Sequence, residues 1–416
     1  MMNKNDPQRL VQPSTLLFLF SAVACLSLNV GEAQANTRGN LVVSLSGKGE
    51  SNRFLIDEGN TASLAVSVLV QPSVTIDDQT TRFDLDGSVR IDQYTKHYGR
   101  SETIAANMNA QTRAGQHTIL AAGARFSSSS DGFQDALLSS SGVLLDVPET
   151  QLPAIGLPDV SAAGLQERID TFSAHAQLDH VFSPRDRVGI VAYGTLENDR
   201  RLEGNDFSDL GFQFSFTRQL SAQTSLLTVA GYSRVDFRGQ EVGDGSIFTS
   251  LIGIDQKLSE NLNLKAQAGI VYTNLARLEG GRDKKVGLAI DLSLCDRTSR
   301  RGICVSAARN ALPTSFGGVT TSSAIAATYD QQISRNTRIL VSGQYTRSNS
   351  IIEISSPNSV DARETFLALA KYSHDLFGRI SLFISPKYAR LERRSGARST
   401  SNYSAELGIS FSFGAK

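Results

Sequence analysis

Tyr403-Ser404-Ala405-Glu406-Leu407-Gly408-Ile409-Ser410-Phe411-Ser412-Phe413 alternates without a break. Tyr403, Ala405, Leu407, Ile409, Phe411 and Phe413 share one parity, and Ser404, Glu406, Gly408, Ser410 and Ser412 the other. Successive side chains of a strand point to opposite faces, so this segment is a strand with one apolar and one polar face. Residues 210–217 repeat the pattern, with Leu210, Phe212, Phe214 and Phe216 set against Gly211, Gln213, Ser215 and Thr217.

Working toward the N-terminus, sixteen such segments lie between residues 81 and 414. Two more candidates sit at 40–47 and 63–76, which would make eighteen, although Pro72 counts against a central position for the second. The connections alternate in length. Arg113-Ala114-Gly115, Ser183-Pro184-Arg185-Asp186, Ser221-Ala222-Gln223, Ser259-Glu260-Asn261, Ser334-Arg335-Asn336 and Phe377-Gly378 are tight turns. Longer polar loops at 129–166, 200–206, 238–244, 276–283 and 350–362 fall between them. Short turns at one end and long loops at the other are the pattern of an outer-membrane barrel. The expected fold is an all-β, transmembrane, antiparallel up-and-down barrel of 16 strands, with 18 possible. Residues 63–416 would form it, and 36–62 would be a periplasmic segment or a first short strand.

The polar faces carry charge. Arg90, Arg125, His175, Asp179, Lys265, Asp291 and Lys387 are out of phase with the apolar residues of their own segments. A dry sandwich core would need a partner for every one of them, whereas a barrel can place them on a wet lumen. They are the candidate lumen-lining residues. The lumen would carry both signs of charge, which argues against strong ion selectivity. The segment 129–166 contains Leu144-Leu145-Asp146-Val147-Pro148 and Leu152-Pro153-Ala154-Ile155-Gly156-Leu157-Pro158, apolar for an exposed loop. It would either fold into the lumen as a constriction or pack over the mouth with its neighbours.

The start of the chain is an address. Lys4 and Arg9 precede a mostly apolar run from Leu16 to Leu28, and Ala33-Gln34-Ala35 follows. These are the three regions of a cleaved secretory signal peptide, residues 1–35. Cys25 after Ala22-Val23-Ala24 offers a lipoprotein alternative that lacks the usual leucine. Removal of the leader leaves Cys295 and Cys304, flanking a turn between paired strands, as a candidate structural disulfide in an oxidising compartment. Two cysteines without further ligands make a poor zinc site.

Other functions find little support. The chain has 41 basic and 41 acidic residues among 416, so no charge excess favours nucleic acid. Ser173 and His175 share a face, but residues two apart on a strand are about 7 Å apart, too far for a nucleophile and its base. No G-x-S-x-G elbow occurs. Neither an enzyme nor a cofactor is expected.

Two resemblances add to this. Glu406-x-Gly408-x-x-Phe411-x-Phe413 resembles the terminal signal read by the outer-membrane barrel-assembly machinery, with the departure that Gly414-Ala415-Lys416 follows it. Leu69–Asp77, leading to Tyr94, and Ser306–Gly318 resemble stretches of Gram-negative outer-membrane barrels found with exopolysaccharide biosynthesis and export systems. That resemblance implies a porin-like conduit for hydrophilic solute linked to polysaccharide export. The partners implied are outer-membrane lipid, the assembly machinery, and polysaccharide or export-complex proteins. A non-transport barrel serving as scaffold or adhesin is the alternative.

Overall fold

The computed structural model describes residues 36–55, 61–129, 168–199, 206–238, 242–277, 280–314, 318–350, 363–393 and 399–414. The leader 1–35 and nearly all of the 129–166 loop lie outside these residues.

Eighteen strands form one sheet. The first six are β1 (Asn36–Glu50), β2 (Ser63–Asp77), β3 (Thr81–Tyr94), β4 (Arg100–Arg113), β5 (Thr118–Ser129) and β6 (Ile169–Ser183). Next come β7 (Asp186–Asp199), β8 (Phe207–Gln219), β9 (Thr224–Phe237), β10 (Val242–Lys257), β11 (Leu262–Arg277) and β12 (Arg282–Arg297). The last six are β13 (Arg301–Pro313), β14 (Val319–Ser334), β15 (Thr337–Ser350), β16 (Arg363–Phe377), β17 (Ile380–Arg393) and β18 (Thr400–Gly414). Each pairs antiparallel with its sequence neighbours. β1 also pairs with β18, from Asn40 opposite Gly414 to Glu50 opposite Ser404, which closes the sheet and leaves it no edge strand.

The count is therefore the larger of the two expected, and β1 is a full strand of the wall. Pro72 does sit centrally, paired with Leu41 on β1. The chain accommodates it by interrupting the other ladder: β2 pairs with β3 up to Val70 and Val89 and resumes only at Ser73 and Asp86. A proline has no N–H to give to a ladder. Opposite the gap is Gly87, where a Cβ would come 3.2 Å from the Pro72 ring. Pro386 on β17 is handled the same way, since the β16–β17 ladder skips from Leu369–Lys387 to Tyr372–Ile384.

The connections at the end that carries both termini, from 78–80 to 378–379, are none longer than four residues. This is the turn end. The opposite, loop end carries the longest connections, 51–62, 130–168 and 351–362.

The outer face is apolar all round. Leu64, Val66, Leu210, Ile252, Ile270, Val286, Ile325 and Leu407 are all more than half exposed. Aromatic rows run along it near the loop end. Phe212 and Phe248 both sit opposite Tyr232, and Phe248 also sits opposite Tyr272. Tyr345 is opposite Phe366, whose ring lies 5.9 Å from Tyr388, and Tyr388 lies 4.9 Å from Tyr403. Phe182, Phe377 and Phe413 stand exposed near the turn end. Tyr403 and Phe413 are ten residues apart on β18, and ten residues of strand tilted by about 40° rise about 26 Å. An outer-membrane barrel has an apolar band about 25 Å tall between aromatic girdles.

One part of the wall turns inward. The β12–β13 ladder stops at Ile290 and Arg309, while β13 stays paired with β14 out to Pro313 and Val319. Beyond Arg309 the tip of the β13–β14 hairpin leans over the inner wall. Ala311 and Val319 there join a buried apolar cluster with Phe207, Val235, Phe237, Ile247, Val271, Leu275 and Ala289, which face inward on β8 to β12. The strands beneath carry Gly253 and Gly269 on their inner face, where a Cβ would run into the carbonyls of Ala266 and Ser250.

Candidate functional site: the inner wall

Opposed residues in an antiparallel ladder face the same side, so the register fixes the lumen face of every strand. All seven candidate lumen residues fall on it, grouped in three sectors.

The first sector lies at the closure seam, where β1, β2, β3, β17 and β18 meet. Glu406 on β18 accepts from Ser46 Oγ at 2.7 Å and lies 3.2 Å from an Arg90 Nη and 3.4 Å from Lys387 Nζ. Arg90 Nε also lies 2.9 Å from Asp92. Asp92 takes in addition Arg53 Nη1 at 3.0 Å, Lys48 Nζ at 3.6 Å and the Ser67 hydroxyl. Lys48 reaches Glu50 at 2.7 Å, and Glu50 accepts from Tyr94 OH at 2.6 Å. Arg53 donates to Tyr94 OH, and to Ser101 Oγ at 2.9 Å.

This is a continuous net of four cations (Lys48, Arg53, Arg90, Lys387) and three carboxylates (Glu50, Asp92, Glu406). Its members interleave by sign, which offsets the desolvation that burial imposes. Arg53 is not on a strand. The segment Ser51–Leu55 turns back at the loop end, held by Ser51 N to Tyr403 O at 3.0 Å, and carries Arg53 and Phe54 inward. The Arg53 guanidinium stacks on Phe54 and Tyr94, 5.5 and 5.0 Å from their ring centres. Arg53 and Leu55 are 2% and 1% exposed, so this side of the mouth is filled by the chain itself.

The second sector spans β4 to β8. Arg125 is opposite Asn107, and His175 opposite Gly123. Gly123 leaves room for the His175 ring and the Asn109 carboxamide, which would lie 2.5 and 2.6 Å from a Cβ there. Gln177 Nε2 donates to Asp179 at 2.7 Å. Asp179 lies over Gly189 and the Tyr193 phenol over Gly211 in the same manner. Polar side chains here lie along the wall, over glycines on the next strand.

The third sector is the pair Lys265–Asp291 on β11 and β12, at 2.8 Å. Toward the loop end from this pair the inner wall changes to the apolar cluster under the β13–β14 tip.

Cys295 and Cys304 are directly opposite in the β12–β13 ladder and are joined as a disulfide. Within the terminal motif the structure separates two roles. Phe411 and Phe413 stand on the outer face, while Gly408 lies under Ser46 and Phe383, and Glu406 belongs to the seam net. Sequence reading did not single out Lys48, Glu50, Arg53 or Asp92. Asp92 does share the parity of Arg90, and that was the available signal.

No protein-family model matches the chain, and no curated protein does. Solved barrels do resemble it. OccAB3 of Acinetobacter baumannii is 9% identical over 91% of this chain and 100% of that one, with a TM-score of 0.44. OccK2 (OpdF) of Pseudomonas aeruginosa is 8% identical over 91% and 98%, at 0.46, and the siderophore receptor PirA of the same organism 9% over 91% and 81%, at 0.43. Likenesses at this level say nothing about what enters the lumen.

Proposed function

We propose that this chain is an outer-membrane, porin-like conduit for hydrophilic solutes. One observation carries the reading: a closed barrel whose outer face is an apolar band between aromatic rows encloses an inner wall lined with paired charges and amides. The outside suits hydrocarbon and the inside suits water, and at eighteen strands a barrel is wide enough to hold an aqueous channel. The bore is narrowed at the loop end by the β13–β14 tip and by the Arg53 segment. The balance of signs along the wall favours neutral, hydroxyl-rich solutes, because such solutes exchange hydrogen bonds with fixed ion pairs without unpairing them.

The leader 1–35 would deliver the chain to the envelope, and the Glu406 to Phe413 motif would hand it to the assembly machinery. The finer reading, passage of a carbohydrate polymer with export-complex proteins as partners, rests on the resemblance of Leu69–Asp77 and Ser306–Gly318. Liposomes containing the refolded chain test the coarser and finer readings together. Swelling in mono- and disaccharides supports the conduit, and continued swelling in oligosaccharides supports the polymer. No swelling in any sugar overturns both.

A further inference from the structure

The outer face of β9 to β12 changes character just above the aromatic row. The register sets Tyr232, Phe248, Tyr272 and Val286 side by side across these four strands. Two residues farther toward the loop end, the same ladders hold Arg234, Ser246, Asn274 and Lys284 in line. Two farther again are Asp236 on β9, Asp244 at the bulge near the start of β10, and Arg282 on β12, opposite Ala276. The parity is outward, since Ser233, Val235 and Phe237, which alternate with Arg234 and Asp236, are buried on the inner side. Two residues of strand tilted by about 40° rise about 5 Å. The headgroup layer adds about 5–8 Å to each side of the hydrocarbon, so the row of Arg234 and Lys284 stands within it.

This patch carries more cations than carboxylates. Arg234 lies 2.8 Å from Asp244, with side chains 68% and 45% exposed. Arg238, Arg282 and Lys284 are exposed and make no ion pair among the described residues, and Asp236 is the only other carboxylate in these outward rows. Elsewhere above the aromatic row outward charges pair off, as Arg100 does with Glu102 and Arg390 with Glu392, both at 2.7 Å. Lys284 and Arg282 also stand on an open flank. From Arg282 to Ala289, β12 pairs with β11 alone, because its ladder with β13 stops at Ile290. Below Lys284 the outward Val286, 65% exposed, carries the lipid-facing surface up to the ammonium's own strand position. Exposed cations without partners, set at headgroup height over an apolar floor, suit a phosphate that arrives on acyl chains. A soluble anion would gain nothing from that floor.

We propose that Lys284 and Arg282, above the row of Tyr232, Phe248 and Tyr272, bind the phosphate of a lipid in the leaflet at the loop end. This rests on the membrane placement of the apolar band and not on conduction. Didodecanoyl phosphatidic acid, didodecanoylglycerol and inorganic phosphate, each titrated by calorimetry into the refolded chain in non-ionic detergent, test it. Saturable binding of phosphatidic acid only is expected. Lys284→Gln combined with Arg282→Gln should weaken it about tenfold or more, with heat-modifiable gel mobility unchanged. Lys284→Gln alone takes the place of the double variant if that one does not fold. Arg390→Gln, which alters a paired charge at the same height on β17, should leave the affinity as it was. Diacylglycerol binding as tightly as phosphatidic acid overturns the role of the cations, and inorganic phosphate binding as tightly overturns the lipid as ligand. Equal weakening by Arg390→Gln overturns the location. No binding of phosphatidic acid, or unchanged binding in the Lys284 and Arg282 variants, overturns the site altogether, and neither result bears on whether sugars swell the liposomes.

Discussion

Arg53 is held by Asp92, Tyr94 and Ser101 in a net that reaches Glu406 at the other end of the chain. Replacing it with alanine leaves Asp92 and Glu50 buried with one cation fewer, and breaking a buried pair from one side costs about 3–5 kcal/mol. Arg53→Ala should therefore lower the urea midpoint of unfolding, followed by gel mobility, far more than Arg82→Ala, whose pair with Asp84 lies on the inner face of β3 near the turn end with side chains 49% and 25% exposed. Equal shifts would mean that the net contributes no more than a surface pair. Gly408→Ala makes a separate demand. Its Cβ would lie 2.6 Å from Ser46 Cβ and from the Phe383 ring, and 2.7 Å from the Leu45 carbonyl. Overpacking of this kind costs about 1–3 kcal/mol, so the variant should unfold at lower urea even after refolding in vitro without any assembly machinery. An unchanged midpoint would leave recognition by that machinery as the only role of this glycine. The lumen direction of Arg90, Lys265 and Lys387 was legible because alternation alone assigns a face. Arg53 was not, because it lies in a connection, and nothing in a local pattern says that a loop folds inward.

At the scale of elements, the disulfide ties residues already opposite in a ladder, and the loop it closes is short, with nine residues of sequence separation. Loop-closure entropy for so short a loop is worth about 2–3 kcal/mol. Changing Cys295 and Cys304 together to serine should lower unfolding stability by that order, and reductant should bring the parent to the same midpoint. If reductant leaves the parent unchanged, the bond contributes no stability. On the proposed function, the inward-leaning end of β13 and β14 narrows the bore, with Ala311 and Val319 seated on the inner wall. Val319→Asp places a charge in its apolar seat, which costs several kcal/mol unless the tip lifts away. Single-channel conductance of that variant should rise, and an unchanged value would show that the tip does not limit flow. Strand positions were readable from periodicity, yet the fate of this tip was not. Asn310, Ala311 and Leu312 continue the alternation of β13, and only the loss of the β12 partner, a tertiary event, tells which layer they join. Pro72 misled in the opposite sense, since a ladder can be interrupted locally and resume.

For the whole molecule, the arrangement of short turns, long loops and both termini at one end followed directly from counting residues between alternating segments. Closure of β1 onto β18 fixes the eighteen-strand count that the sequence left open between two even values. On the proposed function the space within this wall conducts. The most direct measurement is single-channel conductance of the refolded chain from Asn36 onward in planar bilayers, with a neutral oligosaccharide added to one side. Stable open channels of weak ion selectivity, whose current the sugar reduces, are expected. A folded, heat-modifiable barrel that inserts and carries no current would contradict the proposed function.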